Sequence, residues 1–340
     1  MKKRFINPRN YTTLITIGLF VLMFGLGSVS FPGFFSLQNF LNLFIDNSFL
    51  IVIAVGMTLL IISGGIDLSV GSMLALSTMV ASSLLTKSHL SPVLVIPIVL
   101  LIGVALGLFM GFLIARFDVP PFIVTLAGLY LARGLCYVVS LFTISITDNF
   151  WQTMAHAQIN LIGNSFISPS VVIAIVMLIV GIFISRFTKF GRTVYAIGGN
   201  EQSAILMGLP VRRTKILLYA FSGFCSALGG IVFTFYTLSG YALNGTGMEL
   251  DTIATVVIGG TLLTGGAGSI LGTLFGVFVY GTIQVLIVFQ GTLNSWWTRI
   301  AIGFLVFVFV VLQSIFTRSQ IGKEGGGAGK ELKPGLKSAS

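Results

Sequence analysis

Asp67 sits where a charge needs a reason. It lies in Gly64-Gly65-Ile66-Asp67-Leu68-Ser69-Val70-Gly71, between two apolar stretches. A carboxylate in or near hydrocarbon costs on the order of 3 kcal/mol on insertion scales, so it needs a partner or a task. Two tasks fit. Asp67 can cap the helix that follows, accepting from backbone N–H groups near Ser69 and Val70, since Asp is among the strongest caps. It can instead contact polar cargo at a helix break. Arg133 and Arg299 pose the same question: each either snorkels to an interface or faces the interior with a carboxylate or water as partner. Asp148, Glu249 and Asp251 fall between candidate spans, on the outward side of the threading.

Other chemistry is missing. No G-x-x-x-x-G-K-[ST] phosphate loop occurs; the glycines of Thr264-Gly265-Gly266-Ala267-Gly268-Ser269 have no lysine after them. The chain therefore does not hydrolyse ATP itself. It carries no zinc spacing, nucleophile elbow or triad, so an enzyme, a metal site and a bound cofactor are not expected. Cys136 and Cys225 each fall inside an apolar stretch and read as buried thiols, while His89 and His156 fall in short polar segments.

The elements that hold these residues follow from composition. The chain is 55% hydrophobic and 8% charged, against about 25% charged residues in a soluble domain. Such a chain is solvated by lipid. It is expected to be an all-α, polytopic transmembrane bundle. Candidate spans are 11–30, 48–63, 68–86, 91–115, 121–142, 167–185, 216–238, 252–264, 269–289 and 295–316. Segments 48–63 and 252–264 are short and end in Gly64-Gly65 and Gly265-Gly266. The expectation is thus eight to ten spans, some broken or re-entrant. Paired glycine interruptions in two halves point to a transport site; chance similarity between two apolar segments is the competing explanation.

Charge sets the orientation. With ten crossings, Lys2, Lys3, Arg4, Arg9, Arg116, Arg186, Lys189, Arg192, Arg212, Arg213, Lys215 and Arg318 fall on one side and only Lys87 on the other. By the positive-inside rule both termini and 186–215 are cytoplasmic, and 143–166 faces outward. The net charge of +10 is spent on that asymmetry rather than on a nucleic-acid surface, so no nucleic acid is expected as partner. The apolar run after Arg4 reads as a retained first helix, not a cleaved signal. Residues 1–320 form one membrane domain; 321–340, rich in glycine, lysine and serine, read as a disordered tail or an appended scar.

The longest inward loop contains Gly198, Gly199, Asn200, Glu201, Gln202, Ser203 and Ala204 and closes at Gly208 before Pro210. Apolar Ala204, Ile205 and Met207 have no lipid there. A helix that presents them to water is an interface, or else it folds back on its own bundle.

Taken together, these segments resemble a family. Gly64-Gly65-Ile66-Asp67-Leu68-Ser69-Val70-Gly71-Ser72, Pro120-Pro121-Phe122-Ile123-Val124-Thr125-Leu126, Phe190-Gly191-Arg192 with Tyr195-Ala196-Ile197-Gly198-Gly199-Asn200, and Val257-Ile258-Gly259-Gly260-Thr261 resemble permease subunits of bacterial ATP-driven sugar importers of the ribose, xylose and galactose type. The likeness covers about 11–316. It implies an inner-membrane location, a separate cytoplasmic ATP-binding subunit and a periplasmic sugar-binding protein. In such importers a docking loop reads Glu-Ala-Ala, three residues, Gly. Here it reads Gln202-Ser203-Ala204, three residues, Gly208, without the leading acid. Within the family, Gly240-Tyr241-Ala242-Leu243, Glu249-Leu250-Asp251 and Ser295-Trp296-Trp297-Thr298-Arg299-Ile300-Ala301-Ile302-Gly303 are similar to the second permease of galactofuranose importers, which pair two different permeases. That likeness, and no residue's chemistry, carries galactofuranose as cargo and a second permease as partner.

A sugar route needs hydrogen-bonding groups and aromatic faces on an apolar wall. Phe122 and Thr125 follow the Pro120-Pro121 break, and Gln284 is an amide in a long apolar span. These three are expected to line the route, with Asp67 holding a helix end beside it; Trp296 and Trp297 read as interfacial belt residues. An ion-gradient-driven secondary transporter is the alternative, with Asp67 as its one candidate ion site; a channel or scaffold is a third class.

Overall fold

The computed structural model describes residues 8–161, 165–291 and 296–311, with side chains from residue 13 onward. The expectations for Lys2, Lys3, Arg4, Arg318 and the 321–340 tail lie outside the described residues.

Helices dominate: α1 (Pro8–Ser30), α2 (Leu37–Asp46), α3 (Ser48–Ile62), α4 (Val70–Thr86), α5 (Pro92–Phe117), α6 (Pro121–Val139), α7 (Asn149–His156), α8 (Pro169–Phe187), α9 (Lys189–Gly199), α10 (Glu201–Leu206), α11 (Val211–Thr237), α12 (Met248–Ile258) and α13 (Ile270–Gln290), then α14 (Trp296–Val311). Their boundaries have local causes. Pro92, Pro121 and Pro169 open α5, α6 and α8 at positions where the missing N–H costs nothing. Ser36 and Ser269 cap α2 and α13 by accepting from Asn39 N and Gly272 N.

Among the described residues, six helices are long and apolar enough to cross a bilayer, or seven if α2 and α3, bent by 58°, count as one broken span. The larger expected count included α4, α12 and α14. Each of these is a helix, but α4 has 17 residues and α12 only 11. Irregular backbone supplies the missing length: 63–69 leads into α4, and 238–247 leads into α12.

α3 is buried on every side from Leu50 to Ile62, as a helix at the centre of a bundle must be. α11 and α5 pack with their backbones nearly touching. A Cβ at Gly103 would stand 2.6 Å from Gly223 O, and one at Gly223 would stand 2.2 Å from Gly103 O. Small residues permit this approach, which is the main source of helix attraction in lipid.

Contacts sort the turns into two ends. One end gathers 63–65, 118–120, 188–210 and 259–269. There Gly266 N donates to Ile62 O at 2.8 Å, and Lys215 pairs with Glu201 at 2.5 Å. This arginine-rich end carries Arg116, Arg186, Arg192, Arg212 and Arg213. The other end holds two small antiparallel pairs. In one, β1 (Ile144–Ser145) pairs with β4 (Ser239–Gly240); in the other, β2 (Ile159–Asn160) pairs with β3 (Phe166–Ile167). Thr86 Oγ1 donates to Ser145 O at 2.9 Å, and Gln38 Nε2 donates to Phe166 O at 3.3 Å. This is the hairpin end.

Candidate functional site

Three glycine breaks meet at the arginine-rich end. α3 stops at Gly64, with φ +82, and α12 is followed by Gly265 and Gly266, with φ +84 and +78. These are left-handed conformations that side chains resist. The Gly266 N to Ile62 O bond joins the end of α3 to the 259–269 turn that connects α12 to α13. Gly198, at the end of α9, presses on the same junction: a Cβ there would stand 1.8 Å from Ile62 O and 2.5 Å from Gly266 N. Tyr195 Oη donates to Gly268 O at 2.9 Å. The 188–210 loop is thus seated on the end of α3 and on the turn between α12 and α13.

The second feature lies at mid-depth, where two helices begin. α12 runs antiparallel to α13, and Tyr280 Oη donates to Asp251 Oδ2 at 3.1 Å. Tyr280 is about 15 Å along α13 from Ile270 at 1.5 Å per residue, so α12 starts halfway through the bundle. The first turn of α4 lies beside it: a Cβ at Gly71 would stand 2.4 Å from Gly245 O and 2.5 Å from Glu249 Oε2. Asp67 is 1% exposed and fully engaged. Its Oδ1 accepts from Ser69 N at 2.9 Å and Ser69 Oγ at 2.6 Å, and its Oδ2 accepts from Ser222 Oγ of α11 at 2.7 Å. Asp67 therefore ties the non-helical lead into α4 to the centre of α11.

Irregular backbone inside a bilayer must have its carbonyls satisfied by protein. Arg133 of α6 does this for the 238–247 segment, donating to Ala242 O and, at 2.9 Å, to Asn244 O. Neither reading of Arg133 from sequence anticipated a backbone partner. Glu249 Oε2 is buried without a hydrogen-bond partner and lies within electrostatic reach of Arg133.

The third feature is a polar cavity of about 800 Å³ on the hairpin side of mid-depth. The bend between α2 and α3 opens it, and its lining includes Asn39, Asn42, Asp46, Asn47, Tyr236, Asp251, Tyr280, Gln284 and Arg299. Amides, carboxylates and phenols converge there with Phe49. This is hydrogen-bonding capacity for a polyhydroxylated solute in an otherwise apolar bundle. Arg299 also lies over the Trp296 ring at 5.0 Å.

The expected residues separate. Gln284 lines the cavity. Phe122 does not: it stands 57% exposed on the outside of α6. Thr125 is buried, and its hydroxyl is spent on Pro121 O at 2.9 Å. Asp67 faces Ser222 rather than Gln284. In the 188–210 loop, Asn200 caps α10 by accepting from Ser203 N at 2.8 Å. Glu201 holds Lys215, Gln202 lines a groove of about 620 Å³ with Ile205 and Arg212, and Gly208 turns the chain at φ +73. Gly199 is open to solvent. Ala204 corrects the expectation: it is 0% exposed, packed against Ile197 and Val211. Only six residues long, α10 buries that one side on its own loop and presents Ile205 and Leu206, the latter at 87% exposure, with Met207 just past its end at 67%.

Comparison with known proteins agrees with this architecture. Residues 39–311 match the family described as branched-chain amino acid transport system / permease component. The chain is 49% identical over 305 residues to the inner membrane ABC transporter permease protein YjfF of Escherichia coli (strain K12), covering 90% of this chain and 92% of that one. It is 41% identical to the fructose import permease protein FruG of Bifidobacterium longum (strain NCC 2705), covering 88% and 90%. It is 38% identical to the ribose import permease protein RbsC of Haemophilus influenzae (strain ATCC 51907 / DSM 11121 / KW20 / Rd), covering 82% and 84%. No solved structure matches the chain. The chain belongs to the branched-chain amino acid transport system / permease component family, whose members are the multi-pass, non-catalytic membrane subunits of ATP-binding-cassette transporters.

Proposed function

We propose that the chain is the permease of an ATP-driven importer carrying a monosaccharide, galactofuranose, from periplasm to cytoplasm. One observation carries the reading. α3 and α12 each have one end at the polar cavity; at the other, α3 meets the Ile62–Gly266–Gly198 junction beneath the inward loop directly, and α12 leads into it through the 259–269 turn. A push on that loop acts on two helices that border the cavity. Relatives named for fructose and ribose import support a monosaccharide cargo. The likeness of 240–251 and 295–303 to the second permease of galactofuranose importers supports that sugar and a partnership with a different permease.

The arginine-rich end is the cytoplasmic one, because basic residues are retained on that side. Both termini then lie in the cytoplasm, in the inner membrane. The exposed Ile205, Leu206 and Met207 form the docking face for the ATP-binding subunit. The cavity opens toward the periplasm, where a sugar-binding protein delivers the cargo.

The test is uptake into proteoliposomes holding this chain, its partner permease and the ATP-binding subunit, with the binding protein outside. Galactofuranose, ribose, fructose and leucine are offered with ATP or with an ion gradient. ATP-dependent uptake of galactofuranose above the others is expected. Uptake that follows a proton or sodium gradient without ATP makes the chain a secondary transporter, and preference for another solute removes the sugar assignment. Orientation has its own test: single cysteines at Gln158 and Gln202 are treated with an impermeant reagent in spheroplasts. Labelling at 202 but not at 158 reverses it.

A further inference from the structure

A second polar cavity, of about 390 Å³, lies at the arginine-rich end between α8, α9 and the start of α13. Arg186 and Arg192 line it, with Ser185, Tyr195 and Ser269. No acidic side chain lines it, and neither guanidinium is in a salt bridge or hydrogen bond among the described residues. Two exposed cations held at one concavity repel each other unless an anion joins them. One hydroxyl adds a donor: Ser269 Oγ accepts from Gly272 N at 3.4 Å and keeps its own proton to give, whereas Ser185 and Tyr195 donate to Ile182 O and Gly268 O. Two guanidinium groups able to bind bidentately, with the Ser269 hydroxyl beside them, match a phosphate in charge and geometry.

The rest of the lining names the source of that phosphate. Ile182, Ile270 and Leu271 form the apolar part of the cavity. It continues into the outer face of α8, where Ile179, Phe183 and Phe187 are exposed at 60%, 58% and 68%. Those side chains face lipid tails in a membrane-embedded chain. A ligand with an anionic phosphate and apolar tails fits both halves; a soluble phosphate or an acidic side chain of the ATP-binding subunit uses only the polar half. We propose that this cavity binds the headgroup of an anionic phospholipid of the leaflet at the arginine-rich end. Basic pockets between membrane helices at the cytoplasmic face bind such headgroups. The site lies beside α9, so a bound lipid braces the helix that carries Gly198. The proposal does not depend on the identity of the cargo.

The purified chain in mixed micelles is titrated with phosphatidylglycerol, cardiolipin and phosphatidylcholine and read by native mass spectrometry. Arg186→Gln and Arg192→Gln are compared with Arg212→Gln, which lies at the same end outside this cavity. Preference for the anionic lipids is expected in the wild type. It should fall about fivefold for each arginine removed from the cavity, from the contribution of one surface arginine to anionic-lipid binding, and stay unchanged in Arg212→Gln. An equal loss in Arg212→Gln, or no loss in the cavity variants, overturns the proposal. So does displacement of the lipid by millimolar inorganic phosphate, which makes the ligand soluble. Lost assembly with the ATP-binding subunit at intact lipid preference makes the cavity a protein contact and also overturns it. Lys substitution at both positions keeps the charge and should retain part of the preference. Melting temperature in the same micelles separates misfolding from loss of the site.

Discussion

Gly198→Ala adds one methyl group where the loop meets the end of α3 and the turn between α12 and α13. The new Cβ would stand 1.8 Å from Ile62 O and 2.5 Å from Gly266 N. Both atoms are backbone, and they are bonded to each other at 2.8 Å, so neither can turn aside. An ordinary carbon–oxygen contact is about 3.3 Å, so α9 must retreat by about 1.5 Å. Overpacking of this kind costs about 1–3 kcal/mol. That is small beside a total stability of about 5–15 kcal/mol, and the chain is expected to fold and insert. The same 1–3 kcal/mol applied to a coupling equilibrium is a change of about 5- to 150-fold. Gly199→Ala is the matched control, because a Cβ there meets nothing within 4 Å. The assay is sugar uptake and ATP hydrolysis in the same proteoliposomes. Gly198→Ala should keep hydrolysis and lose uptake within the stated range, while Gly199→Ala resembles wild type. Wild-type uptake per ATP in Gly198→Ala, or equal damage in Gly199→Ala, refutes the coupling argument.

Gln284→Leu should lower the apparent affinity for sugar, with a loss of about 1–2 kcal/mol for a hydrogen bond left unmade; Thr125→Val, whose hydroxyl serves Pro121 O, should leave it unchanged, and initial uptake rates at graded sugar concentration check both. Leu206→Glu should abolish co-purification of the ATP-binding subunit while the permease keeps its melting temperature. Ala204→Glu should lower that temperature, because it forces a charge against Ile197 and Val211 at a cost of several kcal/mol. Asp67→Ala strands Ser69 N, Ser69 Oγ and Ser222 Oγ and should destabilise the folded chain by about 2–4 kcal/mol, read by thermal unfolding in micelles. Arg133→Leu leaves the carbonyls of Ala242 and Asn244 without their donor; limited proteolysis should find new cleavage near 242–247, and an unchanged digestion pattern sinks the role given to Arg133.

The helices were legible because hydropathy over some twenty residues is a lipid signal, and every expected span contains one. The irregular halves were not, because hydropathy does not see backbone conformation. Residues 238–247 read as an outer loop, yet Gly240 and Gly245 pack along α4 inside the bundle. Arg133 could not be assigned a partner from sequence: its acceptors are carbonyls 109 and 111 residues away. The glycine pairs after α3 and α12 were a usable signal, and they do meet. The cavity had a signal that went unread. Asn39, Asn42 and Asp46 repeat at helical spacing on α2, marking a polar stripe, but they fell between two expected spans. Ala204 was misplaced because a short apolar loop helix gives no sequence sign of which side its own loop covers.

The lengths of α3 and α12 give the coupling scheme its physical content. At 1.5 Å per residue they measure about 22 and 16 Å, short of a hydrocarbon core of about 30 Å. A full span would have to tilt as one body to pass motion between the two faces. A short helix bounded by breaks can move along its axis while its neighbours stay, with the breaks absorbing the change in φ and ψ. α3 ends in the 58° bend at Asn47 and in Gly64; α12 starts from the 238–247 segment and is followed by the 259–269 turn with its left-handed Gly260, Gly265 and Gly266. The Gly266–Ile62 bond ties α3 to the turn that follows α12, and in the proposed cycle the two move together. Asp67 and Arg133 hold the irregular leads into α4 and α12, which keeps backbone polar groups paired while the helices shift. In the proposed cycle the loop therefore works on a paired piston, and the cavity at its far end is the part that changes shape.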